Sequence, residues 1–326
     1  MAAEVSPKTC CAGDRPACDT ATDRFLAAAC AVPRAAEATR SALRAELRPV
    51  PGGLFEMGAR QSRFAQDLDS PRRKIRVSPF LMAPTAVTNA QFARFADETG
   101  YRTVAECEGW SFVFHLLLTE PERHAIHPPG LPWWRQVEGA CWRTPEGPGS
   151  DWQGRADHPA VHLAWYDGLA YATWAGLRLP REAEWERAAR GGLARMKFPW
   201  GNRLVPETGH AMNTWQGAFP GQNTAEDGHV GTAPATAYAP NGYGLFCMTG
   251  NVWEWVADRF GPLPGDPAGR PVSDPAGPAQ GDTRVQRGGS FLCHESYCDR
   301  YHVHSRTSGA AENSTSNSGV RVAADA

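Results

Sequence analysis

Residues 177–192 read LRLPREAEWERAARGG, and this stretch predicts a short helix that begins after Pro180. Three glutamates lie in its first half and two arginines near its end, an order of charge that suits the helix dipole. Gly191 and Gly192 then supply the residue type that most readily ends a helix. The charged residues are Glu182, Glu184, Glu186, Arg187 and Arg190. The stretch therefore predicts one compact charged helix between irregular segments.

Outward from this helix, the sequence predicts two further helices and many short strands. Thr88 and Gln91 form a capping-box pattern at the start of one helix, which Gly100 can end. The other helix covers about residues 166–175 and ends at Gly176. The chain also contains 33 glycines and 27 prolines, which indicate short strands separated by turns. The predicted fold class is α+β, with little regular secondary structure.

The chain is predicted to consist of a flexible N-terminal tail, residues 1–45, and one globular domain, residues 46–326. Residues 1 to about 20 are rich in small and polar types, which disfavours a packed core. Residues 35–47, which extend across the end of the tail, have the composition of a short helix. No linker or internal repeat divides the remainder, so a single large domain is the simplest organisation.

The composition excludes several classes of partner. A formal net charge of -2 makes neither nucleic acid nor an anionic membrane an expected main partner. No apolar run approaches the roughly 18 residues of a transmembrane helix, and no basic segment marks a secretory signal. The nine cysteines are scattered and odd in number, so most should be reduced, as in a cytoplasmic protein. Cys107, Cys141 and Cys247 are expected to be small buried side chains.

The pair Cys293 and Cys298 is the strongest chemical feature of the sequence. Two thiols five residues apart can face one cavity, where the thiolate form is both nucleophile and metal ligand. Positive charge nearby would favour thiolate, and arginines and histidines crowd the same stretch. Three interpretations follow: a structural disulfide, a zinc site completed by nearby histidines, and a redox or copper-type active site. The residues alone leave all three open.

Eight motifs together resemble the formylglycine-generating enzyme (sulfatase-modifying factor) family, in its bacterial form. Two of them, RLPREAEWE and GNVWEW, are typical of the wider superfamily, whereas GGSFLCHESYCDRY resembles only the true formylglycine generators. The resemblance implies a fold related to C-type lectins. The motifs lie at residues 158–165, 174–186, 198–201, 213–217, 241–245, 250–255, 287–301 and 317–321.

The resemblance implies an oxidase that converts a sulfatase cysteine to Cα-formylglycine with O₂. Its substrate is a Cys-x-Pro-x-Arg segment of an unfolded or nascent sulfatase, and a thiol serves as reductant. Cys293 and Cys298 are implied to bind one Cu(I), since soft thiolates suit this ion and two-coordinate copper leaves room for a substrate thiolate. Ser290 and Trp253 are implied to border the same pocket. A monomer is the expected state.

The resemblance also implies structural Ca²⁺. Calcium accepts a mixture of side-chain and carbonyl oxygens, which fits a loop-rich protein. The first site would use Asn213, Thr214, Asp227 and His229. The second would use Gly250, Val252 and Glu254, although Cys247 stands where an oxygen-bearing side chain is expected.

Two rival functions come from relatives of the same fold. A lectin-like binding paralogue would hold ligands without catalysis, and the presence of both cysteines with Ser290 argues against it. An iron-dependent sulfoxide synthase would carry a histidine motif in an added N-terminal domain, yet residues 1–114 contain no histidine.

Overall fold

The computed structural model describes residues 19–326, with side chains described from residue 24 onward. None of the helices in this part of the chain is long and apolar enough to cross a membrane. The helices are α1 (Asp19–Ala31), α2 (Glu37–Ala45), α3 (Asn89–Thr99), α4 (Val104–Glu108), α5 (Trp165–Ala175) and α6 (Glu182–Ala189), with 3₁₀ turns at Ala65–Asp67, His115–Leu117, Pro121–Arg123 and Gln153–Arg155.

Most strands are only two to five residues long, and much of the chain is irregular, which confirms the predicted α+β class with little regular structure. The strands are β1 (Arg48–Val50), β2 (Gly53–Met57), β3 (Arg73–Val77), β4 (Phe80–Met82), β5 (Trp110–Phe114), β6 (Trp134–Glu138), β7 (Gly217–Ala218), β8 (Gln222–Asn223), β9 (Trp253–Arg259), β10 (Val272–Ser273), β11 (Thr283–Arg287), β12 (Arg306–Ala310), β13 (Ser318–Val320) and β14 (Ala323–Asp325).

The largest sheet has the order β12-β11-β9-β13. Its first three strands are antiparallel neighbours, whereas β13 lies parallel to β9 with Ser318 opposite Trp253. A second sheet has the order β1-β4-β14, a third the order β10-β3-β2, and β5-β6 and β7-β8 are separate antiparallel pairs. The consecutive strands β13 and β14 therefore join the two sheets that contain them.

The three helices predicted after residue 46 are confirmed. Thr88 Oγ1 accepts a hydrogen bond from Gln91 N at 3.3 Å, and Gln91 Oε1 accepts one from Thr88 N at 3.0 Å, which completes the capping box of α3. α3 ends at Gly100 with φ 66°, and α5 ends at Gly176 with φ 65°. Glycine adopts this left-handed conformation readily, so both helices end where the sequence indicates.

The predicted boundary at residue 46 needs correction, because part of the segment predicted to be flexible is folded. α1 packs against α5, and the Phe25 ring lies 6.1 Å from that of Tyr166. Phe25 and Ala29 are buried in the main apolar core, so the folded unit includes α1 and the predicted short helix α2. The prediction for residues 1–18 lies outside the described residues.

Helix α6 buries charged residues that anchor the strand leading to the candidate site. Glu186 is fully buried between Arg190, at 2.6 Å, and Arg287, at 2.5 Å. Arg287 also donates to the carbonyls of His304 and Ser305 at 2.8 and 2.9 Å. Because each charged side chain of the cluster has an oppositely charged partner, the cluster fixes the end of β11 against α6.

Asp167 at the start of α5 is the basis of a pH-dependent stability prediction. Its carboxylate accepts bonds from Ala164 N at 2.8 Å and Val104 N at 3.0 Å, and its side chain is fully buried. Burial raises its pKa from 3.8 to about 7, so between these values the folded chain holds a proton that the unfolded chain has lost. The stability that this carboxyl contributes is therefore lost as the pH rises towards 7.

We expect the free energy of unfolding to fall from pH 5 to pH 8 more steeply in the unaltered protein than in Asp167→Asn, which cannot titrate there. Urea unfolding of both proteins at four pH values checks this. Parallel pH profiles would show that Asp167 does not titrate in this range.

Candidate active site

The segment after β11 folds into a tight loop that brings Cys293 and Cys298 together. Gly288 and Gly289 have φ values of 98° and 75°, and a Cβ added at Gly289 would lie 2.7 Å from the Arg300 carbonyl oxygen. A larger residue would therefore force this loop open. We call residues 288–300 the thiol loop.

The two cysteines of the thiol loop are joined as a disulfide, with Cα atoms 5.3 Å apart. Cys293 N donates to the Ser290 carbonyl at 2.9 Å, and Cys298 N donates to the His294 carbonyl at 3.0 Å. These turns hold both side chains in place independently of any bond between them. After reduction, the two thiols would still face one point, which suits thiol exchange or a two-coordinate soft metal.

The structure places all four predicted catalytic residues around this point. Cys293 and Cys298 are each 1% exposed and pack in one cluster with Trp253. Ser290 N lies 3.4 Å from Cys293 Sγ as a hydrogen-bond donor, which favours negative charge on that sulfur. Phe198, Met212 and Tyr301 complete the apolar wall.

Asn317 is a site residue that sequence reasoning did not single out, although it lies in one of the quoted motifs. Its Nδ2 donates to Ser290 Oγ at 2.9 Å, and its carbonyl accepts a hydrogen bond from Trp253 N at 2.9 Å. Asn317 therefore fixes both residues that border the thiol pair. Its position just before β13, 27 residues from Ser290, gave no signal of this contact.

The positive groups of this stretch do not act as predicted on the thiols. Arg287 is paired with Glu186, and Arg300 makes a buried bidentate pair with Asp67 at 2.6 and 2.8 Å. Burial and the neighbouring His304 lower the pKa of His302 to about 4, so this imidazole is neutral near pH 7. The charges of the two arginines are thus already neutralised by carboxylates.

The zinc interpretation loses support from the same surroundings. Within residues 19–326, no three His, Cys, Asp or Glu side chains are grouped so that they could hold a metal ion. His294 is bonded to Ser296 Oγ at 2.8 Å, and His304 lies 3.0 Å from Asp69. A structural zinc site needs about four such ligands, whereas the thiol pair alone is enough for a two-coordinate ion.

A cavity of about 470 Å³ adjoins the thiol loop, and we call it the acidic cavity. It lies between the C-terminal end of the loop and residues 61–69. Burial alone would raise the pKa of Asp69, but hydrogen bonds from His304 and Ser62 lower it below its ordinary value. The half-exposed Arg63 pairs with Asp299 across the rim. Four carboxylates line the cavity and outnumber the three Lys and Arg side chains of its wall: Asp67, Asp69, Glu295 and Asp299 stand against Arg63, Lys197 and Arg300.

The other cysteines of the described chain lie apart from the thiol pair. Cys141 is buried, as predicted, but Cys107 is exposed and Cys247 is intermediate. The prediction for Cys107 was wrong because it lies in the last turn of α4, a five-residue helix that buries only its first residues.

The residues of the first predicted calcium site lie together in one loop region. Asp227 accepts hydrogen bonds from Thr214 N and His229 N, each at 3.0 Å. Asn213 is 1% exposed, and its Nδ2 donates to the Gly231 carbonyl at 2.9 Å. Its Oδ1 is buried without a hydrogen-bond partner. A buried oxygen left unpaired is costly, and a cation at this point would satisfy it, so these residues fit Ca²⁺.

The residues of the second predicted calcium site do not fit the ion. Both oxygens of Glu254 accept hydrogen bonds from Arg321, at 2.8 to 3.1 Å, and one of them also accepts a bond from Trp185 Nε1 at 2.7 Å. A guanidinium in this position would repel a divalent cation. Cys247 has a thiol where an oxygen ligand is expected. Burial raises the pKa of this thiol to about 11, so it carries no negative charge near pH 7. Gly250 and Val252 could then offer only backbone carbonyls.

Comparison with known proteins agrees with this geometry. The family model of the Sulfatase-modifying factor enzyme 1-like domain matches residues 33–326. The chain is 52% identical over 282 residues to a formylglycine-generating enzyme of Thermomonospora curvata, covering 85% of this chain and 92% of that protein. It is 50% identical over 301 residues to one of Streptomyces coelicolor, covering 92% of this chain and 95% of that protein.

A solved structure of PvdO from Pseudomonas aeruginosa has the same fold. The TM-score is 0.60 at 23% identity, and the match covers 86% of this chain and 94% of PvdO. Because the family model spans residues 33–326, which include the thiol loop, and both relatives match at least 85% of the chain, the chain belongs to the formylglycine-generating enzyme (sulfatase-modifying factor) family.

Proposed function

We propose that this protein converts the cysteine of a Cys-x-Pro-x-Arg segment in sulfatases to Cα-formylglycine, with O₂ as oxidant and Cu(I) as cofactor. The observation that carries the proposal is a buried thiol pair, Cα atoms 5.3 Å apart, enclosed by Ser290 and Trp253. The relatives named formylglycine-generating enzyme support the same activity.

Cys293 and Cys298 are the residues that would hold copper. Thiolates are the ligands that Cu(I) prefers, and their burial keeps competing hard ligands and water away from the ion. Bound copper would supply the one-electron and O₂ chemistry that protein side chains lack. The hydrogen bond from Ser290 N to Cys293 Sγ orients that sulfur, and Asn317 holds Ser290 in position.

The acidic cavity is the proposed binding site for the substrate arginine. Four residues of extended chain span about 13 Å, which is the reach from the target cysteine to the arginine of Cys-x-Pro-x-Arg. Asp299 and Glu295 belong to the thiol loop itself, so a guanidinium bound there would align the substrate cysteine with the thiol pair. The side chain of Arg63 is 56% exposed, so its ion pair with Asp299 is weak. The substrate arginine could therefore displace Arg63 from Asp299.

A mass measurement tests the proposal. Purified protein is incubated with Cu(I), O₂, a thiol reductant and a peptide that contains Cys-x-Pro-x-Arg. The expected product has lost the cysteine sulfur and carries an aldehyde that a hydrazine traps. An unchanged peptide, with copper verified on the protein, would favour the rival role of a binding protein that uses this fold without catalysis.

A stability measurement tests the first calcium site. Calcium that binds only the folded chain raises the melting temperature in proportion to the logarithm of its concentration. We expect millimolar Ca²⁺ to stabilise the unaltered protein by about 3 to 4 kcal/mol if it exceeds the dissociation constant 100- to 1,000-fold. Asp227→Ala should lose this response.

Glu226→Ala provides a matched control, since it removes a neighbouring exposed carboxylate that is not in the ligand set. A calcium response that persists in Asp227→Ala would show that the ion binds elsewhere.

A further inference from the structure

Strand β2 forms the outer edge of the sheet β10-β3-β2. Its pairing with β3 runs from Gly53 opposite Val77 to Met57 opposite Arg73, and within residues 19–326 no other strand pairs with its second side. An unpaired strand edge presents a row of backbone N–H and C=O groups to which another extended chain can bond. The edge of β2 is therefore a place where a further strand could be added.

A cavity of about 660 Å³ lies against this edge, between β2 and the loop that follows α6. Leu54, Phe55 and Glu56 form its strand side, and residues 192–195 form its loop side. Leu54 is 50% exposed and Leu193 is 38% exposed, so apolar surface remains open on both sides. The volume is within the range of ligand sites in proteins. The cavity shares no wall residue with the acidic cavity, so a ligand held here would leave the acidic cavity open.

Positive side chains outnumber negative ones in the wall of this cavity, and we call it the basic cavity. Its four cations and one carboxylate are Lys74, Arg187, Arg190, Arg195 and Glu56. Arg195 pairs with Glu56 at 2.5 Å, and Arg190 pairs with the buried Glu186 at 2.6 Å. Arg187 donates to two backbone carbonyls at 3.2 and 3.3 Å, and Lys74 is exposed. Among the described residues neither of these two cations has a carboxylate partner, so both can attract an anionic ligand.

The positions of the cations limit what can occupy the edge. The Arg187 guanidinium lies 6.0 Å from the ring of Phe55, on the buried face of the strand, whereas Lys74 lies opposite Glu56 on the other face. Cations would thus flank both faces of an added strand. A second copy of this chain would bring the same cations to the same edge and be repelled, whereas a strand that carries carboxylates would be attracted.

We propose that the edge of β2 binds an extended acidic segment of a partner protein, which adds a fourth strand to the sheet β10-β3-β2. Backbone hydrogen bonds to β2 would supply affinity, as in other cases of strand addition, and Lys74 and Arg187 would select carboxylates. Leu54 and Leu193 would cover apolar side chains of the same segment. This binding does not involve the thiol loop, so it would recruit a partner whether or not the protein is an oxidase.

Fluorescence anisotropy of labelled peptides in about 0.15 M salt tests the proposal. The probe is a peptide of about eight residues in which valine and glutamate alternate, and its counterpart has lysine in place of glutamate. We expect the glutamate peptide to bind at least about tenfold more tightly, because the charge of the basic cavity attracts one peptide and repels the other. N-methylation of the two central residues should weaken the glutamate peptide at least about fivefold, since it blocks both backbone edges.

Lys74→Glu should weaken binding of the glutamate peptide at least about fivefold, because it reverses a charge at the edge of the cavity. Lys74 is exposed, so this variant should stay folded. Arg34→Glu is the matched control, because it makes the same change of charge at an exposed residue between α1 and α2, outside the basic cavity. Its affinity should stay within about twofold of the unaltered value.

The absence of saturable binding by the glutamate peptide would overturn the proposal. Equal binding of the glutamate and lysine peptides, or an unchanged affinity in Lys74→Glu, would overturn it as well. If the N-methylated peptide bound as tightly as its parent, the contact would be electrostatic only and the fourth strand would be wrong. Slower amide hydrogen exchange of residues 54–56 in the complex would support strand addition.

Discussion

Replacing Cys298 by alanine should reduce formylglycine formation at least about 1,000-fold, because it removes one of two thiols that must act together. Cys298 is 1% exposed, its neighbours in the apolar cluster are unchanged, and the loop keeps its backbone hydrogen bonds. The protein should therefore stay folded and should still bind a Cys-x-Pro-x-Arg peptide in which serine replaces the target cysteine. The rate of aldehyde formation at saturating peptide measures the loss.

Cys107→Ala is the matched control for this prediction. Cys107 is an exposed free thiol on α4, so its removal should leave the rate within about twofold of the unaltered value. If Cys298→Ala kept a tenth of the activity, the thiol pair would not be the reacting centre, and the proposed function would lose its main support.

Arg287→Met should lower the free energy of unfolding by about 3 to 5 kcal/mol, one of the largest losses expected for a single substitution. Methionine has a similar length but no charge, so Glu186 would remain buried with Arg190 as its one cationic partner, beside the hydrogen bond from Gly58 N. The carbonyls of residues 303–305 would also lose their donors. Chemical denaturation of both proteins, compared at one pH, measures the difference.

An exposed ion pair provides the control for Arg287→Met. Arg203 pairs with Glu207 at 2.9 Å, but the two side chains are 71% and 89% exposed. Arg203→Met should hardly change the denaturation midpoint, since water screens and replaces such a pair. Equal effects of the two substitutions would mean that the buried cluster of α6 does not anchor β11.

The elements that the sequence predicted correctly depend on local signals. The capping box at Thr88 and the glycines after α3 and α5 act within a few residues, so their positions can be inferred from neighbours alone. The thiol pair could be identified for the same reason, because its motif is continuous in sequence.

The features that sequence reasoning missed depend on contacts between distant residues. Asp67 and Arg300 are 233 positions apart, and nothing near either residue indicates their pairing or the cavity beside them. α1 was missed because small residues such as Ala29 gain their stability only from a matching surface on α5. The charge of Arg287 was likewise expected to act on the thiols, but it is neutralised by a helix about 100 positions earlier.

The pairing of β13 with β9 has a consequence for synthesis on the ribosome. Trp253 is placed by backbone contacts to Asn317 and Ser318, more than 60 residues later in the chain. During translation, a growing chain that already contains both thiols cannot yet build the wall of its active site. Since domains form such long-range contacts late, the nascent protein should be inactive until the segment through β13 has left the exit tunnel.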